Sequence, residues 1–170
     1  KDNRIVIQGS DVNHIKNVKI EDLLERAPIQ IDNESISEQL RGKRVLVTGA
    51  AGSIGSEIAT QISKFGPQVI ILCDQAESPL HNLHLDLQEK FKDQIYHTFI
   101  ADVKNYDRMH YLFEEFKPQI VYHAAAYKHV PMVENHPIEG VRTNVLGTIN
   151  IANLAVEFKA KKLSLLFKLA

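Results

Sequence analysis

A glycine-rich turn between a predicted strand and a predicted helix constrains this chain more than any other feature. The apolar run at residues 44–47 leads into Thr48 and three glycines, Gly49, Gly52 and Gly55. The first glycine permits a tight turn, the second lets backbone amides approach a pyrophosphate, and the third allows the helix to pack closely on the sheet. Because a helix N-terminus also attracts anions, this context predicts a dinucleotide-binding loop.

The glycine spacing leaves one alternative open and excludes another. The spacing is G-x-x-G-x-x-G rather than G-x-G-x-x-G, and three glycines in an ordinary turn would look the same on spacing alone. A Walker A phosphate loop is excluded, because no Gly-Lys-Ser/Thr follows the first glycine at the required spacing.

The chain beyond this turn alternates short apolar runs with helical patterns. The sequence predicts further strands at residues 69–72, 95–100 and 119–122, and helices at residues 53–65, 76–92, 106–116 and 138–158. Such alternation is typical of βαβ units, whose parallel sheet is covered by helices on both faces. The sequence therefore predicts an α/β fold with a doubly wound parallel sheet, which is Rossmann-like.

Composition changes near residue 40 and divides the chain into two parts. Residues 1–40 are polar and irregular, with a short amphipathic turn predicted at residues 20–26. We interpret them as a lead-in segment that docks on another surface, and an undocked chain end is an equal alternative. Residues 41–170 are predicted to be an NAD(P)-binding domain.

Composition also excludes several classes of function. With 20 Lys and Arg against 21 Asp and Glu, the net charge is −1, so no electrostatic argument favours nucleic acid as a partner. No apolar run approaches the roughly 20 residues that a membrane-spanning helix needs. Cys73 is the single cysteine, which fits a reducing, cytoplasmic setting. The eight His show no metal-ligand spacing, and no metal site is predicted.

An acidic residue follows the second predicted strand. Asp74 lies 19 residues after Gly55, where a carboxylate can accept hydrogen bonds from the adenosine ribose hydroxyls. A carboxylate there repels a 2′-phosphate, and Gln75 supplies no compensating positive charge. NAD is therefore favoured as the cofactor, with NADP as the alternative. A turn-forming role for Asp74 at the strand end also stays open.

Two more strand ends carry candidate cofactor contacts. Asp102 follows the third predicted strand and can reach the adenine edge, although on spacing alone it can equally be the N-cap of the following helix. Ala124, Ala125 and Ala126 follow the fourth strand, where small side chains would let a cofactor pass close to the backbone. Simple packing is the alternative reading of the three alanines.

Four segments together resemble a known family. They are the glycine loop from Thr48 to Glu57, Asp74 with Glu77, the run from His123 to Glu134, and the run from Asn144 to Thr148. These segments resemble extended short-chain dehydrogenase/reductases and, more narrowly, capsule-type (CapD-like) nucleoside-diphosphate-sugar epimerase/dehydratases of bacterial polysaccharide biosynthesis. The resemblance extends from about residue 17 to about residue 160.

The resemblance implies a reaction on a sugar nucleotide. Such enzymes take a UDP-linked N-acetylhexosamine, and the nicotinamide takes hydride from sugar C4, which forms a ketone that acidifies the C5 proton. Water then leaves across C5 and C6, the hydride returns to C6, and the product is a 4-keto-6-deoxy sugar nucleotide. An NAD-dependent C4 epimerase and a non-catalytic dinucleotide-binding module are the alternatives.

The resemblance also assigns roles to individual residues. It implies that the pyrophosphate is held by Gly49, Gly52, Ser53, Ile54 and Gly55. It places Asp74 and Gln75 at the ribose, Ala101, Asp102 and Val103 at the adenine, and Ala124, Ala125 and Ala126 along the nicotinamide half. It places Lys128 and Glu134 near the sugar nucleotide and Asn144 near the active-site hydrogen-bond network. For Lys128, a solvated loop lysine is the alternative.

The catalytic residues of the family are not found in this sequence. None of the five Tyr and two Met has Lys four residues later, and the Ser/Thr-Asp-Lys segment expected after the fifth strand is absent. Residues 161–170 form an apolar tail instead of that segment, as a truncation or a reading-frame change near Lys161 would explain. The domain at residues 41–170 is therefore predicted to be incomplete at its C-terminus, truncated before the substrate-binding region. We therefore expect this chain to bind a dinucleotide weakly, to turn nothing over and to leave its final strand as an exposed sheet edge.

The resemblance finally implies a longer parent protein. In the long members, a segment similar to residues 19–26 joins an N-terminal membrane-anchored region to the catalytic domain. The parent is then expected at the inner membrane, with this part on the cytoplasmic face and with homo-oligomers among its relatives.

Overall fold

A sheet of five parallel strands forms the centre of the molecule in a computed structural model that describes residues 32–166. The strand order is β3-β2-β1-β4-β5. The strands are β1 (Arg44–Thr48), β2 (Val69–Asp74), β3 (Tyr96–Ile100), β4 (Ile120–His123) and β5 (Lys162–Leu165). The predicted amphipathic turn at residues 20–26 lies outside the described residues.

Strand β1 occupies the middle of the sheet. Its Val47 pairs with Leu72 on β2 and with Tyr122 on β4. The ladder continues outward from β2 to β3 and from β4 to β5. The chain thus moves away from β1 first on one side and then on the other, which confirms the predicted doubly wound α/β fold.

Seven α-helices lie in the described part of the chain. They are α1 (Asn33–Leu40), α2 (Ser53–Ser63), α3 (Glu77–Lys90), α4 (Tyr106–Phe116), α5 (Val130–Asn135), α6 (Pro137–Val141) and α7 (Thr148–Glu157), and a π-helical turn (Arg142–Gly147) joins α6 to α7. Helices α2, α3 and α4 agree with the predicted ones to within two residues at each end. Helix α5 is not predicted from the sequence, and Pro131 lies in its first turn.

The helix predicted at residues 138–158 is interrupted by the π-helical turn. The Thr148 hydroxyl donates a hydrogen bond to the backbone carbonyl of Asn144 over 2.6 Å. A hydroxyl at this spacing competes with the backbone amide that would bond to the same carbonyl in an α-helix. This competition gives a physical reason for the wider turn, which hydrophobic periodicity does not reveal.

Two hydrophobic clusters cover the two faces of the sheet. On β1, Val45 and Val47 belong to one cluster and Leu46 to the other, because successive strand side chains point to opposite faces. Leu80 of α3 lies in the first cluster, and Met109 of α4 lies in the second. Burial on both faces explains why β1, β2 and β4 read as continuous apolar runs in the sequence.

Helix α1 lies in the segment predicted to be a lead-in. Leu40, at its end, is 1% exposed and packs in the same cluster as Val45, and Ile36 packs against that cluster. A compact unit of the chain accordingly begins at Asn33, eight residues before the predicted boundary at residue 41. The apolar side chains at positions 36 and 40, one helical turn apart, account for this packing.

Strand β5 forms one edge of the sheet as the structure describes it. It pairs with β4, Leu163 packs against a hydrophobic cluster, and Leu165 is exposed. The fifth strand expected near residue 161 is therefore present. Within residues 32–166, no helix has the length and apolarity to cross a bilayer.

Candidate functional site

A cleft of about 140 Å³ opens where the carboxyl ends of β1 to β4 meet. Open parallel sheets bind ligands at this edge, where the connections that follow two neighbouring strands leave toward opposite sides of the sheet. Ten of the thirteen residues predicted to bind the cofactor line it: Gly49, Gly52, Asp74, Gln75, Ala101, Asp102, Val103, Ala124, Ala125 and Ala126. The other three, Ser53, Ile54 and Gly55, lie in the first turn of α2.

The conformation of Gly49 explains why a glycine stands there. Its φ angle is +68°, in the left-handed region that disfavours side chains. A Cβ atom at Gly49 would lie 2.6 Å from the backbone nitrogen of Ala125 and 2.7 Å from the carbonyl carbon of Ala124. The loop after β1 therefore contacts the segment after β4 backbone to backbone, which only a glycine permits.

Contacts within the chain require a glycine at position 55 but not at position 52. A Cβ atom at Gly55 would lie 2.8 Å from Ala50 Cα, so glycine is needed there for the helix to pack on its own loop. Gly52 has an ordinary φ of −74°, and the first atom that its Cβ would meet is the Gly49 oxygen at 3.3 Å. Packing within the chain therefore explains Gly55 but does not by itself demand glycine at position 52, which lines the cleft.

Asp74 connects the glycine loop to the end of β2. Its two carboxylate oxygens accept hydrogen bonds from the backbone amides of Ala51 and Ala76, each over 2.9 Å. The amide of Ala50 also donates to the carbonyl of Cys73 over 3.1 Å. These contacts hold the carboxylate at the rim of the cleft, and a carboxylate oxygen retains a second lone pair for a hydroxyl donor.

Asp102 does not cap the following helix, so that alternative from the sequence is wrong. The N-cap of α4 is Asn105, whose side chain accepts from the backbone amide of Arg108 over 3.0 Å. Asp102 instead accepts from the backbone amide of Lys104 over 2.9 Å, as in an Asx turn. Asp102 lies three residues before the N-cap of α4, and it lines the cleft.

The ammonium of Lys104 joins two carboxylates. It lies 3.3 Å from Asp102 Oδ2 and 3.2 Å from Glu139 Oε2 on α6. Burial alone would lower the pKa of Lys104, but its hydrogen bonds to Glu139 and Asp102 outweigh burial and raise that pKa overall. The same hydrogen bond lowers the pKa of Glu139. The two contacts of Lys104 join the loop after β3 to α6.

Thr143 brings an unpartnered hydroxyl to the cleft. Its side chain is 5% exposed and lines the cleft, and its Oγ1 is one of two buried side-chain polar atoms without a hydrogen-bond partner in residues 32–166. Buried polar groups are normally satisfied, so an unsatisfied one beside a cavity fits a site that receives a polar ligand. The sequence analysis did not single out this residue, although it directly precedes Asn144.

A second cavity of about 410 Å³ adjoins the cleft. It brings together the three residues predicted near the sugar nucleotide, Lys128, Glu134 and Asn144. The Lys128 ammonium also reaches Ser53 Oγ, 2.8 Å away at the start of α2. Lys128 is thus placed between the first turn of α2 and the second cavity.

A third cavity of about 470 Å³ is lined by residues 126–129 after β4, and Met132, His136 and Glu139 are among its other lining residues. Tyr127 lines this cavity, the second cavity and the cleft. Its backbone is held by Asn144, which accepts from the Tyr127 amide over 2.8 Å and donates to the Tyr127 carbonyl over 2.9 Å.

His123 forms a buried polar connection that the sequence analysis missed. The Thr148 hydroxyl gives its proton to Asn144, so it accepts from His123 Nε2 over 3.2 Å. His123 Nδ1 is then the acceptor for the Thr48 hydroxyl over 2.6 Å. Burial lowers the pKa of His123 to about 4, which keeps the ring neutral at pH 7. No sequence spacing indicates this contact, because its members lie on three separate elements.

Neither a metal centre nor a reactive thiol is found in the described region. Residues 32–166 contain no group of three or more His, Cys, Asp or Glu side chains arranged to hold a metal ion. Cys73 is among the residues that line the cleft. Burial, and to a smaller extent the nearby charge of Asp74, raises the pKa of its thiol well above the ordinary value.

Comparisons with curated proteins find relatives of greater length. The chain is 47% identical over 159 residues to the capsular polysaccharide biosynthesis protein CapD of Staphylococcus aureus, covering 92% of this chain and 26% of CapD. It is 49% identical over 142 residues to the probable polysaccharide biosynthesis protein EpsC of Bacillus subtilis, covering 83% of this chain and 24% of EpsC. The chain thus spans about a quarter of the length of these relatives.

Two more distant matches carry chemical names. A UDP-N-acetylglucosamine 4,6-dehydratase (inverting) of Campylobacter jejuni is 30% identical over 122 residues, which are 71% of this chain and 35% of that protein. The crystal structure of a Thermus thermophilus UDP-glucose 4-epimerase in complex with NAD matches with a TM-score of 0.58 at 26% identity. That match covers 71% of this chain and 36% of the epimerase.

A family match covers most of the chain. Residues 45–167 match the family described as polysaccharide biosynthesis protein, and the matched region includes the five strands, except Arg44 at the start of β1, and the cleft. This match and the identities to CapD and EpsC confirm the resemblance found in the sequence. The chain belongs to the polysaccharide biosynthesis protein family, whose CapD-like members it resembles across its Rossmann-like sheet.

Proposed function

We propose that the cleft binds NAD and that this chain is the cofactor-binding half of a nucleotide-sugar 4,6-dehydratase. The observation that carries the proposal is the contrast between Gly52 and its neighbours. Gly49 and Gly55 are required by contacts within the chain, whereas Gly52 faces the cleft and packing alone does not demand a glycine there. A pyrophosphate that approaches the backbone supplies the missing reason.

The proposed orientation of NAD follows the chemistry of the cleft walls. The pyrophosphate lies at the first turn of α2, where the amides of Ser53 and Ile54 belong to the helix end that lacks intrahelical acceptors. Asp74 and Gln75 face the adenosine ribose. The segment from Ala101 to Val103 faces the adenine, and the segment from Ala124 to Ala126 lies along the nicotinamide half.

The proposed preference for NAD over NADP rests on Asp74. Its carboxylate is held at the rim by the amides of Ala51 and Ala76, so it cannot easily turn away from a ligand. The ribose hydroxyls of NAD can donate to it, whereas the 2′-phosphate of NADP would be repelled. Gln75 is exposed and carries no charge to offset that repulsion.

The proposed reaction divides the work between the cofactor and the rest of a longer parent. NAD supplies a hydride acceptor that takes hydride from sugar C4 and later returns it to C6. The residues of this chain bind and orient: Asn144 holds the backbone of Tyr127 beside the nicotinamide half, and Lys128 and Glu134 line the second cavity, where the UDP-sugar would lie. We expect no turnover by this chain alone, because its sequence lacks the Tyr/Met-x-x-x-Lys pair.

A C4 epimerase is the second candidate, because the Thermus thermophilus UDP-glucose 4-epimerase shares this fold at 26% identity. Both reactions begin with hydride transfer from C4, so the cofactor site does not separate them. A non-catalytic dinucleotide-binding module is the third. Membrane anchoring of a longer parent, its cytoplasmic setting and homo-oligomer formation stay predictions from the resemblance.

Calorimetry with the 170-residue chain tests the proposal. NAD, NADP and UDP-N-acetylglucosamine are titrated in parallel, and we expect the strongest binding for NAD. Gly52→Val should abolish detectable NAD binding, because its side chain would occupy the place of the pyrophosphate. Undetectable binding of both dinucleotides to the wild-type chain, or unchanged NAD binding by Gly52→Val, would contradict the proposal.

The control separates ligand binding from folding. A Cβ atom at position 52 would lie 3.3 Å from the Gly49 oxygen and needs a smaller adjustment than one at position 55, so Gly52→Val should lower the unfolding temperature less than Gly55→Ala does. Gly55→Ala should instead lower the unfolding temperature strongly, since its Cβ would collide with the loop backbone. Circular dichroism on both variants checks this difference.

A further inference from the structure

We propose that the π-helical turn and α7 position the two halves of the dinucleotide cleft through two separate sets of polar contacts, so that the two halves can be weakened independently by mutation. The proposal rests on the proposed binding of NAD and goes beyond it, because Thr148 and Asn150, the two side chains that carry it, are not among the residues that line the cleft. They act as positioning residues.

The first set, the β4 contact, consists of His123, Thr148, Asn144 and Tyr127. His123 stands at the end of β4 and donates to the Thr148 hydroxyl, which donates to the Asn144 carbonyl. The Asn144 side chain then holds both the amide and the carbonyl of Tyr127. The helix is thereby bonded to β4 at one end of the alanine segment and to Tyr127 just beyond its other end.

The β4 contact is also connected to the glycine loop. His123 accepts from the hydroxyl of Thr48, which directly precedes Gly49. Both ring nitrogens therefore have hydrogen-bond partners, Nδ1 on β1 and Nε2 on α7. A displacement of Thr148 would be transmitted to Tyr127 and to the alanine segment, which is the wall of the proposed nicotinamide half.

The second set, the β3 contact, consists of Asn150, Val103 and Lys104. The buried Asn150 side chain donates to the Val103 carbonyl over 3.0 Å and to the Lys104 carbonyl over 3.2 Å. The π-helical turn approaches the same segment closely, since a Cβ atom at Gly147 would lie 2.6 Å from Val103 Cγ2. This set holds the wall of the proposed adenine half.

The two sets use different side chains of one helix and reach different strands. Thr148 and Asn150 are two residues apart, so their side chains leave the helix in different directions. One reaches the segment after β4, and the other reaches the segment after β3. The geometry therefore assigns each side chain to one half of the cleft.

Titration of the ¹⁵N-labelled chain with NAD and with AMP tests the inference, with affinities read from chemical-shift changes. AMP carries only the adenosine half. We expect Thr148→Val to weaken NAD binding about five-fold, the fold-change of one lost hydrogen bond, and to leave AMP binding within about two-fold. The backbone amide signal of Tyr127 should shift in this variant before any ligand is added.

Asn150→Ala is the matched variant and should weaken the binding of both ligands rather than that of NAD alone. It removes the contact to the adenine wall, so the affinities for NAD and AMP should fall by the same factor. Thr148→Ser keeps the hydroxyl and should restore wild-type values for both ligands. Should Thr148→Val fail to fold, Asn144→Ala removes the two side-chain hydrogen bonds to Tyr127 in the same set and carries the same expectation.

The outcomes distinguish this inference from the function on which it rests. If the wild-type chain binds neither ligand, the proposed function is wrong and the inference falls with it. If the wild-type chain binds both, and Thr148→Val and Asn144→Ala weaken NAD and AMP equally, the inference alone is overturned. An unchanged NAD affinity in folded Thr148→Val overturns it as well.

Discussion

The ammonium of Lys128 donates a hydrogen bond to Ser53 Oγ over 2.8 Å, although 75 residues separate the two in the sequence. Ser53 is the first residue of α2, so this contact brings a positive charge to the end of the helix where the proposed pyrophosphate lies. Lys128 also lines the second cavity. Its position supports a role at the phosphates in addition to the role near the sugar nucleotide that the family resemblance implies.

Lys128→Ala should therefore weaken NAD binding. A charge-assisted hydrogen bond to a phosphate oxygen contributes enough that we expect a loss of about ten-fold, together with a smaller dependence of the affinity on salt. Lys64→Ala, at the other end of the same helix, is the control and should bind NAD as the wild-type chain does. Calorimetry at two salt concentrations checks both. Normal NAD binding with lost UDP-sugar binding in Lys128→Ala would place the lysine at the sugar nucleotide alone.

Gly49 and Gly66 form a matched pair for measuring the backbone contact between β1 and β4. Both have a positive φ, +68° and +62°, but a Cβ atom would meet Ala125 at Gly49 and nothing within 4 Å at Gly66. Gly66→Ala should cost about 1 kcal/mol of unfolding free energy from backbone strain. Gly49→Ala should cost about 2 kcal/mol more, because the neighbouring backbone must move. Urea unfolding measures both, and equal losses would refute the close contact.

The buried ring of His123 should make the fold sensitive to acid. Its pKa is about 4 in the folded chain and about 6.5 in the unfolded chain, so between these values the unfolded chain binds a proton that the folded chain does not. Stability from this group is therefore fully present above pH 6.5 and is lost as pH falls toward 4. The whole loss amounts to about 3 kcal/mol.

Urea unfolding at pH 7.5 and at pH 5 measures this loss, and His123→Gln isolates it. Burial also lowers the pKa of His84, which contributes in the same direction and remains in the variant. Glu139, whose pKa is lowered from 4.5, acts only at lower pH. The difference in stability between the two pH values should be smaller in His123→Gln. An equal difference in both proteins would show that His123 is not the group responsible.

Thr143→Val should have opposite effects on folding and on binding. The hydroxyl is buried without a partner, so replacing it with a methyl group should stabilise the unliganded chain by about 1 kcal/mol. If the hydroxyl finds its partner on NAD, the same change should weaken NAD binding about five-fold. Thr143→Ser keeps the hydroxyl and should bind as the wild-type chain does. Wild-type affinity for NAD in Thr143→Val would show that the Thr143 hydroxyl does not bond to NAD.

The fold was predictable because its signals are local. The apolar runs at β1, β2 and β4 are buried on both faces. The glycine turn lies where β1 leads into the N-terminus of α2. Asp74 and Asp102 were placed at the cleft because carboxyl ends of parallel strands share an edge. Positions that follow from strand ends alone were therefore accessible to sequence reasoning.

The remaining features depend on contacts between distant elements. The π-helical turn arises where the Thr148 hydroxyl reaches the Asn144 carbonyl, and periodicity cannot separate that turn from an α-helix. The hydrogen bonds of His123 form only when β1 and α7 pack beside β4. The N-cap of α4 at Asn105 rather than Asp102 depends on where the loop after β3 turns.

Tyr127 borders the cleft and both adjoining cavities, so one residue forms a wall common to all three. Thermodynamic linkage requires that a first ligand which shifts this wall changes the binding free energy of a second ligand by the same amount as the second changes that of the first. A sugar nucleotide in the second cavity that shifts Tyr127 would therefore change the affinity for NAD, and NAD would change the affinity for the sugar nucleotide by the same factor.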